Sequence, residues 1–177
     1  KYVNNHITKS KYLLVQDINY NLQRYNLKGN KLWSINLKKE IVGSCSEIDV
    51  YKNGRIQTAF ATEDAIHVID LRGKNVSGFP IKVKKPITHP LSVFDYEKTK
   101  NYRLLITQNN ALVMFNSYGK RVKGFDYNIE KSITSQPQHI RISNKDYIVF
   151  STSEKLKIIS RTGKDRIRIN KKINIIE

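Results

Sequence analysis

The chain is poor in cysteine, proline, tryptophan and acidic side chains. Its 177 residues contain one cysteine, one tryptophan and four prolines, and 15 Asp and Glu stand against 32 Lys and Arg. Because Cys45 is alone, the sequence excludes an intrachain disulfide and a metal site with several cysteine ligands. No apolar run approaches the roughly 18 residues that a membrane-spanning helix needs, and no signal peptide stands at the start of the sequence.

Four glycines mark an internal repeat. Gly29, Gly73, Gly119 and Gly163 lie 44, 46 and 44 residues apart. They stand in the related phrases YNLKGNKLWSI, IDLRGKNVSGF, FNSYGKRVKGF and ISRTGKDRIRI. A period in the mid-forties with short strands is typical of propeller blades.

Each repeated glycine is expected in a hairpin turn. The positions seven and four residues before it, and six residues after it, are apolar in every copy. Three residues before the glycine stands a short polar residue that can accept hydrogen bonds from the turn, while the glycine supplies positive φ. These polar residues are Asn26, Asp70, Asn116 and Ser160. Further upstream in the second copy, Asn53-Gly54 predicts a two-residue hairpin turn.

The sequence predicts an all-β fold, a β-propeller made of four-stranded antiparallel blades. Two more strands precede each hairpin, and the inner strands are more apolar than the last one, as blade packing requires. We expect one propeller segment over residues 1–177, with blades at about 1–37, 44–82, 89–128 and 136–170. Four blades are enough for a small ring, but we favour part of a larger propeller, which two copies could complete as a homodimer.

The excess of basic residues gives a formal net charge of +17, which attracts anions at a distance. Cationic pairs recur in the linkers between repeats, and another pair follows Tyr118. The sequence therefore predicts a basic interaction surface, although the same residues also suit an ordinary solvated surface. The residues of the predicted surface are Lys38, Lys39, Lys84, Lys85, Lys120, Arg121, Lys171 and Lys172.

No catalytic, cofactor-binding or metal-binding residue is predicted. None of the four histidines has a nucleophile motif beside it. His67 is expected to face solvent or a channel, whereas His89 and His139 are interpreted as solvated linker residues. Glu63 and Asp64 are typical of a tight turn rather than of a cation site. The isolated glycines form no phosphate-binding loop.

At YNLKGNKLW and IDLRGKNVSGFP the chain resembles bacterial β-propeller repeats of the quinoprotein-like type and related repeats of the cell envelope. In these repeats a strand ending in Asp or Asn is followed by a Gly-Lys turn and an aromatic residue. The resemblance covers all four repeats and implies a periplasmic or extracellular protein. The chain departs from the pattern in having a shorter turn and a tryptophan, Trp33, in the first copy alone.

We expect a noncatalytic scaffold for protein or ligand interaction in the bacterial cell envelope, with a protein or an acidic ligand as its partner and no cofactor. Two alternatives stay open. A quinone- or carbohydrate-related enzyme domain would need acidic, arginine and tryptophan side chains converging on a channel. A basic module for polyanions or nucleic acid, the less favoured partner, would lose affinity steeply as salt rises.

Overall fold

The computed structural model describes residues 2–4 and 11–167, and in these residues every regular element is a β-strand. The strands form four antiparallel sheets of four, and neighbours in each sheet are consecutive in the chain. This arrangement confirms the predicted all-β fold with four-stranded antiparallel blades. Lys171 and Lys172 of the predicted basic surface lie outside the described residues.

The four sheets are numbered as blades 1 to 4 in chain order. Blade 1 contains β1 (Tyr2–Asn4), β2 (Lys11–Gln16), β3 (Asn21–Asn26) and β4 (Lys31–Asn36). Blade 2 contains β5 (Ser46–Ile48), β6 (Gln57–Thr62), β7 (Ala65–Ile69) and β8 (Ile81–Lys82). Blade 3 contains β9 (Ser92–Phe94), β10 (Arg103–Gln108), β11 (Ala111–Asn116) and β12 (Tyr127–Asn128). Blade 4 contains β13 (Gln138–Ile142), β14 (Lys145–Ser151), β15 (Leu156–Ile159) and β16 (Asp165–Ile167).

Every blade has two distinct ends because its strands alternate in direction. The turn from first to second strand and the turn from third to fourth strand share one end, which we call the hairpin-turn end. The turn from second to third strand shares the opposite end with the linker to the next blade, which we call the linker end. Loops at the two ends therefore form separate surfaces, which is how a rigid sheet presents side chains for binding.

The chain divides into two compact units, Lys1–Leu91 with blades 1 and 2 and Ser92–Glu177 with blades 3 and 4. Each unit has its own apolar core between its two sheets. The core of the first unit contains Tyr12, Leu14, Leu22, Cys45, Phe60 and Ile69. The core of the second unit contains Phe94, Tyr96, Leu105, Leu112, Met114, Phe125, Tyr127, Ile133, Ile148, Phe150 and Ile159.

The expected gradient from apolar inner strands to polar outer strands is present. The middle strands β6 and β7 of blade 2 are buried at every residue, whereas the last strand of blade 4, β16, is exposed at every residue. In blade 2, burial on both sides fits the apolar run of Ala59, Phe60 and Ala61 in the middle of β6, whereas β2 and β14 alternate between buried and less buried residues.

The repeated glycine turn has the predicted construction. In blade 2 the Asp70 carboxylate accepts hydrogen bonds from the backbone N–H groups of Arg72 and Lys74, at 2.8 and 2.9 Å. Gly73 then turns with a φ of 77°. Asn26, Asn116 and Ser160 accept the corresponding pairs of N–H groups in the other three blades. The side chain therefore replaces a strand partner for two amides of the turn.

The prediction of a two-residue turn at Asn53-Gly54 is wrong. β5 ends at Ile48 and β6 begins at Gln57, so the connection is a wider loop. It is wider because the Asp49 carboxylate accepts the N–H groups of Asn53 and Gly54 at 3.1 and 2.8 Å. A two-residue turn stands instead in blade 4, where Ser143 and Asn144 both have positive φ and Ile142 pairs with Lys145.

An aromatic residue from each unit's first blade lies against the glycine turn of its second blade. The Trp33 ring is so close to Gly73 that a Cβ on this glycine would stand 3.0 to 3.2 Å from ring atoms, and Trp33 Nε1 donates to the carbonyl of Leu71 at 3.0 Å. In the second unit the Phe125 ring would stand 3.6 Å from a Cβ on Gly163. The tryptophan of the first repeat thus joins blades 1 and 2.

Candidate interaction surface

A buried carboxylate organises the hairpin-turn end of the second unit. Asp146, at the start of β14, is buried and accepts hydrogen bonds from His139 Nε2 at 2.8 Å and from Arg141 Nη1 at 3.3 Å. The guanidinium of Arg161 also contacts Asp146 through two nitrogens. Several donors around one carboxylate compensate for the cost of removing it from water.

The strand register of blade 4 brings these side chains together. Arg141 lies opposite Asp146, and His139 lies two residues earlier on the same face of β13. In blades 2 and 3 the position of Arg141 holds Asp49 and Asp95, whose carboxylates cap the loops between the first two strands. The short turn of blade 4 has no such loop to cap, so the carboxylate stands on the second strand and faces a cation.

Arg161 extends this group from blade 4 to blade 3. Its guanidinium forms an ion pair with Glu97 and lies over the Tyr96 ring, 4.8 Å from the ring centroid. Arg141 Nη1 donates to the backbone carbonyl of Tyr96 at 2.8 Å. Asp146 and its donors therefore fix the loop of blade 3 against the turns of blade 4.

The carboxyl group of Asp146 stays ionised in this environment. Burial raises the pKa of Asp146, but the hydrogen bonds from His139 and Arg161 and the charges of Arg161 and Arg141 outweigh it, so the pKa lies below its ordinary value. The sequence does not predict this group, and His139 is not the solvated linker residue that was expected. Only the register of a two-residue turn could have placed Arg141 opposite Asp146.

An open cleft of about 270 Å³ lies beside Asp146 at the same end of blade 4. Its lining is mostly cationic and hydroxyl-bearing. The lining residues are Asn144, Lys145, Asp146, Ser160, Arg161, Thr162 and Arg166. Since Asp146 is already neutralised by its partners, the side chains that remain at the rim suit a negatively charged group.

Exposed cations extend this basic character over the hairpin-turn end of the second unit. Among the described residues the carboxylates here are already engaged: Asp95 accepts the N–H groups of Thr99 and Lys100, and Asp126 pairs with Arg121 at 3.6 Å. Other cations here are exposed and form no ion pair within the described part of the chain, and we group five of them together. These five, which we call the turn surface, are Lys98, Lys120, Lys145, Lys164 and Arg166.

The predicted basic residues fall on two different ends of the blades. Lys120 and Arg121 lie at the hairpin-turn end of blade 3. Lys38, Lys39, Lys84 and Lys85 are exposed in linkers, at the linker end. Lys39 Nζ lies 3.3 Å from a carboxylate oxygen of Glu63, and the corresponding linker lysine in the second unit, Lys131, lies 2.8 Å from Glu154.

His67 is buried, contrary to the expectation that it faces solvent or a channel. Its ring stacks on Phe60 with centroids 4.9 Å apart, and its Nε2 lies 3.1 Å from the Thr62 hydroxyl. The alternation of β7 places the ring against a neighbouring strand of the same blade, where it packs as an aromatic residue. Within the described residues no group of three or more His, Cys, Asp or Glu side chains is placed to hold a metal ion.

The sheets and their repeated turns define a β-propeller repeat protein. No protein-family model and no curated protein matches the sequence, but the fold is similar to that of solved propeller structures. BBS1N, in its crystal structure in complex with ARL6DN, is similar over 99% of this chain, with a TM-score of 0.69 and 14% identity. BamB from Moraxella catarrhalis is similar over 93%, with a TM-score of 0.58 and 11% identity. The WD40 domain of Pan2 from Neurospora crassa is similar over 98%, with a TM-score of 0.58 and 9% identity.

These likenesses concern the fold, because the identities are low. The chain spans about half the length of the structures it matches, namely 53%, 46% and 48% of the three chains. Its four blades therefore fit part of a propeller. In the described residues no helix is long and apolar enough to cross a membrane.

Proposed function

We propose that the chain is a noncatalytic β-propeller scaffold that binds an acidic protein partner at the hairpin-turn end of its second unit. One observation carries this proposal: the carboxylates at this end are held by internal bonds, while the five cations of the turn surface are exposed. An acidic surface meeting them would form ion pairs without displacing an existing one. Such complementarity steers association and fixes orientation more than it adds affinity.

The wider setting is also part of the proposal. The phrases around Gly29 and Gly73, together with the contact of Trp33 on the Gly73 turn, support a bacterial, quinoprotein-like propeller of the cell envelope. A protein partner fits the propeller class, since the similar BBS1N structure is a complex with ARL6DN. The second basic patch, with Lys38, Lys39, Lys84 and Lys85, is a further candidate contact at the linker end. A second copy of the chain is the other partner that we propose.

Nucleic acid is a second candidate ligand of the turn surface. Tyr118 is exposed beside Lys120, and an exposed aromatic next to a cation is the arrangement on which unpaired bases stack. A test of the proposal must therefore compare a peptide with an oligonucleotide.

The experiment measures binding of a hexaglutamate peptide and of a single-stranded hexanucleotide by calorimetry, at low and at physiological salt. The variant is Lys98→Ala/Lys120→Ala/Lys145→Ala, and the matched control is Lys28→Ala/Lys31→Ala/Lys74→Ala, which removes the same charge from exposed residues at the glycine turns of the first unit. We expect the first variant to weaken peptide binding about tenfold and the control less than about twofold, since each exposed ion pair contributes roughly 0.5 kcal/mol. Equal losses in both variants, or tighter binding of the oligonucleotide, would contradict the proposal.

A further inference from the structure

The side of blade 4 that faces away from blade 3 is apolar and exposed. Ile148, Phe150 and Ile159 of this blade pack into the core with blade 3. The alternate positions point the other way: Ile140 pairs with Tyr147, and Val149 pairs with Ile158. Ile140 and Ile142 are 44% and 59% exposed. We call this the forward face of blade 4, and its apolar members are Ile140, Ile142, Tyr147, Val149, Ile158 and Ile167.

In blade 3 the equivalent face is covered by a sheet. Phe94 and Tyr96 occupy the register positions of Ile140 and Ile142, and they are only 4% and 5% exposed. Leu105 and Met114, which correspond to Val149 and Ile158, are fully buried in the same core. The forward face of blade 4 thus repeats an arrangement that elsewhere in this chain receives the next blade.

Blade 1 carries the matching set of side chains on its opposite side. Tyr12, Leu14 and Leu22 pack into the core with blade 2. Leu13 and Tyr25 pair across β2 and β3 just as Ile148 and Ile159 pair across β14 and β15, and Val15 follows at the position of Phe150. In blade 4 these are the positions that cover the preceding blade. In blade 1, Val15 is 41% exposed, and Leu13 and Tyr25 are half-buried. We call this the rear face of blade 1.

We propose that the forward face of blade 4 binds the rear face of blade 1 in a second copy of the chain. The contact would repeat the packing of blade 4 on blade 3, with Leu13, Val15 and Tyr25 in the places of Ile148, Phe150 and Ile159. It joins different surfaces of the two copies and is therefore heterologous. Large contiguous apolar patches are rare on the surface of soluble monomers and mark interaction sites. This inference rests on the second-copy partner proposed above and names the faces that meet. The turn surface borders the forward face, since Lys145 pairs with Ile142 and the Arg166 guanidinium lies over the Tyr147 ring.

The mass of the chain in solution tests the contact. Light scattering at moderate salt should give a species of at least twice the 20.6 kDa monomer mass. Val15→Asp and Ile140→Asp should each weaken association about 100-fold, because each places a carboxylate in an apolar contact. Both changes lower the net positive charge, so greater electrostatic repulsion would not explain a loss of association. The matched control is Ile18→Asp, at a turn position that is 93% exposed and lies on neither face.

A mixing experiment distinguishes this contact from a symmetric one. Val15→Asp chains keep an intact forward face, and Ile140→Asp chains keep an intact rear face, so an equimolar mixture should recover association that neither variant shows alone. Circular dichroism checks that the variants are folded, and Ile142→Asp replaces Ile140→Asp if the latter unfolds. A monomeric wild-type chain at the highest soluble concentration would overturn the proposal. Loss of association with Ile140→Asp but not with Val15→Asp would overturn it too.

Discussion

His67 behaves as a packed aromatic residue whose ring happens to be titratable. The pKa of His67 is lowered from 6.5 to about 4, chiefly by burial and also by the charge of Lys82, while the charge of Asp64 partly opposes both. The sequence could not reveal this burial, because the equivalent positions hold Gln23, Val113 and Lys157, a mixture that fits either a buried or an exposed site.

The stability of the chain should therefore fall as pH is lowered from 6.5 to 4. In this window the unfolded chain takes up a proton on His67 that the folded chain does not, whereas above pH 6.5 both forms are neutral. The loss contributed by this residue is about 3 kcal/mol, from the difference between the two pKa values. Urea unfolding of the wild type and of His67→Gln at several pH values measures it.

Carboxylates also titrate in acid, but they are the same in the wild type and in His67→Gln. The difference in unfolding free energy between these two proteins therefore reports His67 alone. His89→Gln, in a linker, is the matched control for the loss of an imidazole side chain. Parallel stability curves for the wild type and His67→Gln between pH 6.5 and 4 would show that the ring is not held neutral by the fold.

The hydroxyl of Tyr96 is buried and has no hydrogen-bond partner among the described residues. A buried polar group without a partner costs roughly 1–3 kcal/mol of stability. Tyr96→Phe should consequently leave the free energy of unfolding unchanged or raise it by up to about 1 kcal/mol. The same urea measurement checks it, with Tyr127→Phe as a buried-tyrosine comparison, and a clear loss of stability in Tyr96→Phe would reveal an interaction of the hydroxyl.

At the scale of elements, the glycine turns show what sequence reasoning can and cannot recover. Asx-type capping by Asp70 and its equivalents follows from local chemistry, since donor and acceptor are close in the chain. Asp146 meets Arg141 through the register of the two-residue turn in blade 4, and Arg161 joins Asp146 to Glu97 of blade 3. The glycine turns were thus predictable, whereas the two-residue turn and the contacts between blades were not.

Gly73 and Gly29 offer a matched pair of substitutions at the same position of equivalent turns in blades 2 and 1. Both have positive φ, 77° and 83°, so alanine costs about 1 kcal/mol at either position from the backbone alone. At Gly29 the space for a Cβ is empty, whereas at Gly73 it is filled by the Trp33 ring. Gly73→Ala should therefore lose about 1–3 kcal/mol more than Gly29→Ala. Thermal unfolding compares them, and equal losses would mean that the ring moves aside freely.

For the whole molecule, the formal charge of +17 opposes the folded state. Repulsion among like charges is strongest in the compact chain and is screened by salt.

The fold class could be predicted because the glycine period and apolar positions recur four times. The distribution of charge could not, since the sequence does not show that Asp95, Asp126 and Asp146 are occupied by internal bonds.

Added salt should accordingly stabilise the chain. Raising NaCl from about 20 to about 200 mM should increase the melting temperature by a few degrees. Salt weakens the repulsion among the many like charges more than it weakens the attraction in exposed ion pairs such as Lys39 with Glu63. Lys98→Glu/Lys145→Glu reduces the net charge by four and should show a shallower dependence. A melting temperature that falls with salt in the wild type would indicate that ion pairs outweigh repulsion.

The contact of Trp33 with the Gly73 turn also gives the chain an intrinsic fluorophore in one defined place. Because the sequence has a single tryptophan, the emission spectrum reports the environment of that indole without a label. Its N–H is bonded to the carbonyl of Leu71 and its ring lies on Gly73. Separation of blades 1 and 2 would expose the indole to water and shift its emission to longer wavelength. Opening of the first unit can thus be followed optically and separately from events in the second.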